Sequence, residues 1–149
     1  MTAPHHRPQS VVATAPVRID LAGGWTDVAP YTTEVGGAVC NVAVDLRATA
    51  IVTAATHAAA APEDPLVRAA WQAAGSPKVA IRLSSSFPVG SGLGGSSAAG
   101  VALAAALAAW QHETLDPQTL AERSRHTETE LLLLFAAYIL ITGLPKIGG

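Results

Sequence analysis

The fold is decided by the stretch Pro88-Val-Gly-Ser-Gly-Leu-Gly-Gly-Ser-Ser-Ala-Ala99. It lies between an alternating apolar segment, 79–86, and an Ala-rich segment, Ser97–His112, with the spacing of a helix. Glycine lets backbone N–H groups approach a ligand with no Cβ in the way. The first N–H groups of a helix are unpaired and lie at the positive end of its dipole. The stretch therefore predicts an anion site suited to a polyphosphate, with the Ser96 and Ser97 hydroxyls beside a phosphate or Mg²⁺.

The residues alone leave three interpretations of this stretch open. Gly90, Gly92 and Gly95 also fit the G-x-G-x-x-G pattern of a dinucleotide site, but no second strand ending in an acidic residue follows about 20 residues later. A tight turn that only caps the next helix is the structural alternative. A P-loop is excluded, because its Gly-Lys-Ser/Thr ending is missing. Four glycines and the Ser96–Ser97 pair exceed the needs of one turn, which favours the polyphosphate site.

The segments around this stretch predict an α+β or α/β domain. Residues 11–22 predict extended structure interrupted at Pro16, and residues 38–53 alternate as one long strand, or two strands, with a buried face. Asp64-Pro65 and Asp116-Pro117 are typical helix starts, an N-cap followed by proline at the first helical position. Strands, helix, strand, helix and helix then follow in order, without an internal repeat. Cys40 falls on the apolar face of its strand, and we interpret it as a small buried hydrophobe.

The composition excludes several classes of protein. The 149 residues are 50% hydrophobic and 13% charged, which indicates a folded chain rather than a disordered one. The net charge of −2 and the absence of a basic stripe argue against a nucleic-acid partner. One cysteine excludes an intrachain disulfide and a multi-cysteine zinc site. The N-terminus has no apolar signal segment, so we expect a cytoplasmic protein. The sequence leaves the oligomeric state open.

Residues 131–145 (LLLLFAAYILITGLP) carry no charge. These 15 residues are fewer than the roughly 20 that a membrane-spanning helix needs. We interpret the segment as a buried helix or strand, or as sequence foreign to the fold. A membrane anchor is the less favoured alternative, and no membrane partner is expected.

A second motif adds a family resemblance. Residues 15–27 (Ala-Pro-Val-Arg-Ile-Asp-Leu-Ala-Gly-Gly-Trp-Thr-Asp) and residues 88–98 resemble, in this order, the first two motifs of the GHMP kinase superfamily. This superfamily includes galactokinase, homoserine kinase and mevalonate kinase. The Gly-Gly-Trp-Thr-Asp sequence is most similar to the branch that contains D-glycero-D-manno-heptose 7-phosphate kinase and L-fucokinase. The resemblance covers roughly residues 11–130.

The resemblance implies a fold and an activity. The fold would be the two-layer α+β N-terminal, ATP-binding domain of these kinases, with a mixed sheet packed against helices. It would span residues 11–130, after a flexible arm, 1–10, and before a divergent apolar tail, 131–149. The activity would be ATP-dependent phosphoryl transfer to a small-molecule sugar or sugar phosphate, with ATP and Mg²⁺ as cofactors. Phosphoryl transfer depends mainly on positioning and charge neutralisation, which agrees with a loop of N–H donors, a cation and an arginine.

The resemblance also implies site residues. Arg18 would be catalytic, near the acceptor hydroxyl and the transferring phosphoryl group. Asp27 and Trp25 would bind the sugar, and Ser96 and Glu128 would bind Mg²⁺. The ATP phosphates would contact Pro88, Gly90, Ser91, Gly92, Leu93, Gly94, Gly95, Ser96 and Ser97.

Each of these side chains also has a structural interpretation. Arg18 would be a surface charge on a strand, and Asp27 would cap the turn at Gly23 and Gly24. Trp25 would be a core plug rather than a wall of the sugar site. Glu128 would be a solvated charge on a helix.

The chain also departs from the family. Sugar-kinase members carry a Gly-rich segment with a catalytic Asp after the helix that contains Glu128, whereas this chain has the apolar segment and no Asp after Asp116. We therefore expect an N-terminal fragment without the C-terminal domain, arising from a frameshift or a gene truncation, with weak or no kinase activity. The alternatives are a non-catalytic nucleotide-binding remnant and, less favoured, a dinucleotide-dependent oxidoreductase.

Overall fold

The computed structural model describes residues 9–55 and 60–142, except for the side chains of Glu130 and 132–142. Within these residues the chain forms three strands and four helices. In chain order they are β1 (Ser10–Ala22), α1 (Tyr31–Glu34), β2 (Cys40–Ala54), α2 (Pro65–Ala73), β3 (Val79–Ser85), α3 (Gly95–Trp110) and α4 (Pro117–Thr142). The expected arm, 1–10, lies almost wholly outside the described residues, as do parts of the Ala-rich connection between β2 and α2.

The strands form one sheet in the order β1-β2-β3, and both pairings are antiparallel. Helix α3 packs against β1 and β2, so that the domain has a sheet layer and a helix layer. The expected α+β class is confirmed. We also expected a mixed sheet, but the strand pairs in the described part of the sheet are antiparallel. A dinucleotide-binding fold requires parallel strands joined by crossover helices. The described sheet therefore does not fit the Rossmann-type dinucleotide site on which the oxidoreductase alternative depends.

The core lies between the sheet and α3. Alternate residues of β2 point into it, and Ala48, Ala50 and Val52 are fully buried, as the alternating pattern predicts. The helical spacing of Ser97–His112 predicts that Leu103 and Leu107, four residues apart, share one helix face, and both are buried. Complete burial of such a side chain stabilises the fold by about 1.5–3 kcal/mol. The alanines between them let the helix backbone approach the sheet closely.

Two helix starts follow the sequence prediction. The Asp64 carboxylate accepts the N–H of Val67 at 3.0 Å at the start of α2. The Asp116 carboxylate accepts the N–H groups of Gln118 and Thr119, each at 3.0 Å, at the start of α4. These side chains satisfy donors that the first helical turn leaves unpaired.

The long strands differ from the prediction in two details. Pro16 does not interrupt β1; the register shifts between Pro16 and Val17 instead. Proline is tolerated because β1 is an edge strand of the described sheet, where a missing N–H removes no ladder hydrogen bond. The interpretation of Cys40 as buried is wrong, because its thiol is exposed. The first residues of β2, 40–43, are all exposed, so alternation does not lead to burial there.

The apolar segment continues α4 as far as Thr142. Its side chains beyond Leu131 and residues 143–149 lie outside the described part of the chain. Among the described helices, none has an apolar stretch long enough to cross a lipid bilayer.

Candidate active site

The connection between β3 and α3, which we call the glycine loop (88–94), winds through three left-handed glycines. Gly90, Gly92 and Gly94 have φ values of 78°, 72° and 71°. Gly94 is the N-cap of α3, and no side chain caps this helix. The Ala98 N–H donates to the Gly94 carbonyl at 3.0 Å, which closes the first turn. The N–H groups of that turn, including those of Ser96 and Ser97, are therefore available to an anion.

The glycine loop borders a cleft of about 560 Å³. Its opposite walls are the start of α2, with Asp64 and Leu66, and the end of β3, with Leu83, Ser84 and Ser85. Of the predicted phosphate-binding residues, those lining this cleft are Pro88, Gly90, Ser91, Gly92, Gly94, Gly95 and Ser96. Leu93 and Ser97 are not among the lining residues, because Leu93 bonds to β1 and Ser97 faces α4. The cleft places an apolar wall next to the N–H donors of α3.

Arg18 joins β1 to the glycine loop. Its backbone N–H donates to the Leu93 carbonyl at 3.1 Å, and its guanidinium lies so close to Gly94 that a Cβ at that position would overlap it. The Nε donates to the Asp20 carboxylate at 3.1 Å. Arg18, Gly94 and Ser97 also line a smaller cleft of about 210 Å³ between β1 and α3. The structure thus places this cation beside the start of α3, where an anion would bind.

Glu128 lies against α3 from the neighbouring helix. Its two carboxylate oxygens each accept the Ser97 hydroxyl at 3.2 Å. The side chain is half-buried and faces α3, so it does not point wholly into solvent. The predicted metal pair was Ser96 and Glu128, but the hydrogen bond that the structure shows runs from Ser97 to Glu128, whereas Ser96 lines the cleft of about 560 Å³.

The donor set fits Mg²⁺ in part. In the described part of the chain, no cluster of three or more His, Cys, Asp or Glu side chains forms a protein-only metal site. Mg²⁺ is usually held by one or two carboxylates together with substrate phosphates and water. One carboxylate next to the first turn of α3 matches that pattern, so Glu128 and a serine hydroxyl of α3 would hold a nucleotide-bound metal.

The turn after β1 contains the predicted sugar-binding residues. Trp25 has a φ of 72° and an exposed fraction of 82%, which excludes its role as a core plug. Asp27 is exposed as well. The Thr26 hydroxyl, which the sequence analysis missed, closes this turn by donating to the Gly23 carbonyl at 2.7 Å and accepting the Ala38 N–H at 3.1 Å. No described hydrogen bond joins Trp25 or Asp27 to the glycine loop.

A further cleft of about 650 Å³ lies away from the loop, among α2, α3 and α4. Arg123 and Glu113 form a two-pronged ion pair at its rim, at 2.6 and 3.0 Å. The hydrogen bond from Arg123 lowers the pKa of the Glu113 carboxyl. These groups tie α4 to the connection that follows α3.

Comparison with known proteins identifies the family. The family described as GHMP kinases N terminal domain matches residues 51–133, more than half of the 149 residues. The chain therefore belongs to the GHMP kinase family. Its structural neighbours are sugar kinases and related small-molecule kinases, and GHMP kinases use ATP.

Individual relatives agree with this assignment. The L-fucokinase/L-fucose-1-P guanylyltransferase of Bacteroides fragilis is 55% identical over 39 residues, which are 26% of this chain and 4% of that protein. The D-glycero-D-manno-heptose 1-phosphate kinase of Bacteroides thetaiotaomicron aligns over 82% of this chain with a TM-score of 0.71 and 23% identity. The mevalonate kinase of methicillin-resistant Staphylococcus aureus aligns over 81% with a TM-score of 0.62 and 16% identity. At these identities the two structures show the fold alone.

The chain spans less than half of the solved kinases that it matches. It covers 49% of the heptose 1-phosphate kinase chain and 45% of the mevalonate kinase chain.

Proposed function

We propose that this chain binds ATP at the glycine loop and takes part in phosphoryl transfer to a hydroxyl of a sugar or sugar phosphate, of the heptose 7-phosphate or fucose type. The observation that supports this most strongly is the junction of Arg18 with the loop. A cation, three left-handed glycines and the uncapped start of α3 meet at one place. A polyphosphate needs this combination, because it requires several N–H donors and compensation of its charge.

The residues have separate roles in this proposal. The N–H groups of the first turn of α3 bind phosphate oxygens, and the apolar wall with Leu66 and Leu83 takes the rest of the nucleotide. Arg18 lies where negative charge develops on the transferring group, and its Asp20 partner holds the guanidinium in place. Mg²⁺, when bound with ATP, neutralises phosphate charge. Glu128 and a serine hydroxyl of α3 would hold it. Trp25 and Asp27 contact the sugar.

A second candidate function is nucleotide binding without turnover. Asp116 is the last Asp in the sequence, and its carboxylate caps α4 through Gln118 and Thr119, so it is not free to accept a proton from a sugar hydroxyl. This observation favours weak or absent catalysis by the 149 residues. We therefore infer that this chain binds the nucleotide but catalyses phosphoryl transfer weakly or not at all.

Two measurements on the full chain test the proposal. Isothermal titration with MgATP tests binding, and we expect a dissociation constant in the micromolar to millimolar range, typical of nucleotide substrates. A coupled assay of ATP consumption with fucose and with heptose 7-phosphate then tests turnover. Binding without turnover supports the second candidate, and sugar-dependent turnover of roughly 1 per second or more supports the first. Absence of MgATP binding at millimolar concentrations contradicts both.

A further inference from the structure

We propose that Ser124 is a positioning residue, whose hydroxyl holds α4 against α3 so that the Glu128 carboxylate meets the first turn of α3. The consequence is that the Mg²⁺ dependence of nucleotide binding, which the proposed function already implies, relies on Ser124. The metal-dependent part of this inference rests on the function proposed above. The positioning part does not, and it is tested without a nucleotide.

Ser124 is almost fully buried in the interface between the two helices, with an exposed fraction of 3%. Its hydroxyl donates to the backbone carbonyl of Ser97 at 3.2 Å. Gly100 provides the space for it: a Cβ at Gly100 would overlap the Ser124 Oγ and would lie 3.3 Å from its Cβ. Ser124 therefore occupies a notch in α3 that exists only because residue 100 has no side chain.

The spacing of the residues explains how this notch controls Glu128. Ser124 and Glu128 are four residues apart on α4, and Ser97 and Gly100 are three apart on α3, so each pair lies on one helix face. The hydroxyl of Ser124 bonds to the same residue, Ser97, whose own hydroxyl bonds to Glu128. Two contacts about one turn apart fix both the sliding and the rotation of α4 relative to α3.

The Glu128 contact tolerates little displacement. Both Ser97–Glu128 distances are 3.2 Å, and hydrogen bonds weaken beyond about 3.2 Å. If α4 moves away by about 1 Å, the hydrogen bond between the Ser97 hydroxyl and the Glu128 carboxylate breaks. The neighbouring hydroxyl of Thr127 has no such role, because it donates to the Arg123 carbonyl of its own helix at 2.9 Å.

In the proposed function, the position of Glu128 favours a nucleotide that carries a metal. A carboxylate next to the uncapped start of α3 repels the negative oxygens of a polyphosphate, and Glu128 would instead hold a divalent cation that offsets this repulsion. The chain thus distinguishes the metal–nucleotide complex from the free nucleotide, provided that α4 is held in register. Ser124 supplies that register without touching the ligand.

The positioning part is tested by a double-mutant cycle in chemical denaturation, without any nucleotide. The variants Ser97→Ala and Glu128→Gln, alone and combined, are measured in the original chain and in a Ser124→Ala background. We expect the two substitutions to be coupled in the original chain and to become additive in the Ser124→Ala background. Equal coupling in both backgrounds overturns the proposal. Thr127→Ala, which removes a buried hydroxyl on the same helix, is the matched background and should retain the coupling.

The metal part is tested by titration with ATP in excess Mg²⁺ and in EDTA. In the original chain we expect Mg²⁺ to strengthen binding by about tenfold or more, since charge-assisted contacts have that magnitude. In Ser124→Ala and Glu128→Gln, the ratio of the dissociation constant in EDTA to that in Mg²⁺ should be close to one. Thr127→Ala should keep the ratio of the original chain even if the substitution lowers stability. A normal ratio in Ser124→Ala overturns the metal part. Failure of the original chain to bind ATP contradicts the proposed function, while the denaturation cycle still decides the role of Ser124.

Discussion

The Ser97 hydroxyl donates to both carboxylate oxygens of Glu128, at 3.2 Å each, across the interface of α3 and α4. The two residues are 31 positions apart in the sequence. The contact places a negative charge beside an uncapped helix N-terminus, which stabilises that helix in the absence of a ligand. It also places a potential metal ligand next to the glycine loop. The candidate site is therefore built from β1, the loop, α3 and α4 together.

The contact between Arg18 and Gly94 gives the first prediction. In Gly94→Ala, the new Cβ would overlap the Arg18 guanidinium, and a φ of 71° is unfavourable for alanine. We expect MgATP binding to weaken by about tenfold or more, measured by calorimetric titration. Gly75→Ala is the matched control, because Gly75 has a φ of 78° and a Cβ added there would meet nothing within 4 Å. If both variants bind equally well, the loop does not contact the phosphates.

The charge of Arg18 gives the second prediction. Arg18→Ala removes the cation at the loop but keeps the backbone N–H that bonds to Leu93, so we expect a folded chain with MgATP binding weakened by about tenfold. Arg47→Ala is the control, since Arg47 is 47% exposed and pairs with Asp45, two residues away on the same strand, β2. Titration of the two variants separates the role of Arg18 from a general loss of charge. Equal losses would contradict a specific role.

An exposed apolar strip on the sheet gives the third prediction. Ile19 and Val42 pair across β1 and β2 and are 42% and 46% exposed, and Leu21 on the same strand is 65% exposed. Contiguous apolar surface of this kind promotes association. We expect the chain to self-associate with rising concentration, measured by sedimentation, and Val42→Lys to reduce this. Val12→Lys, at an apolar site with 59% exposure on the opposite face of β1, should leave association unchanged.

The cap of α4 gives the fourth prediction. Hydrogen bonds from Thr119, the side chain first, lower the pKa of the Asp116 carboxyl below its ordinary value of 3.8. A lowered pKa in the folded state means that the stabilisation is fully present above the unfolded-state pKa and is lost as the pH falls through the folded-state pKa. We therefore expect the difference in denaturation midpoint between the original chain and Asp116→Ala to shrink in acid. Asn is an uncharged cap. The difference in denaturation midpoint between Asp116→Asn and Asp116→Ala should therefore stay constant over the pH range in which Asp116 titrates.

Local sequence signals predicted much of this protein. The alternation in β2, the caps at Asp64 and Asp116 and the apolar face of α3 depend on neighbouring residues, so they follow from short-range geometry. The glycine loop was also predicted, because a run of glycines before a helix has few other uses. Periodicity failed at Cys40, since alternation predicts a face of a strand but does not show whether another layer covers that face.

What only the tertiary structure decided is which distant residues meet. Nothing in the sequence near Ser97 shows that Glu128 rather than solvent accepts its hydroxyl, or that Ser124 fills the space left by Gly100. Those contacts depend on how α4 lies against α3, and that arrangement is set by packing across the whole interface. The residues by themselves determined a glycine-rich loop that leads into a helix. The fold determined that a cation from β1 and a carboxylate from α4 both lie at the start of that helix.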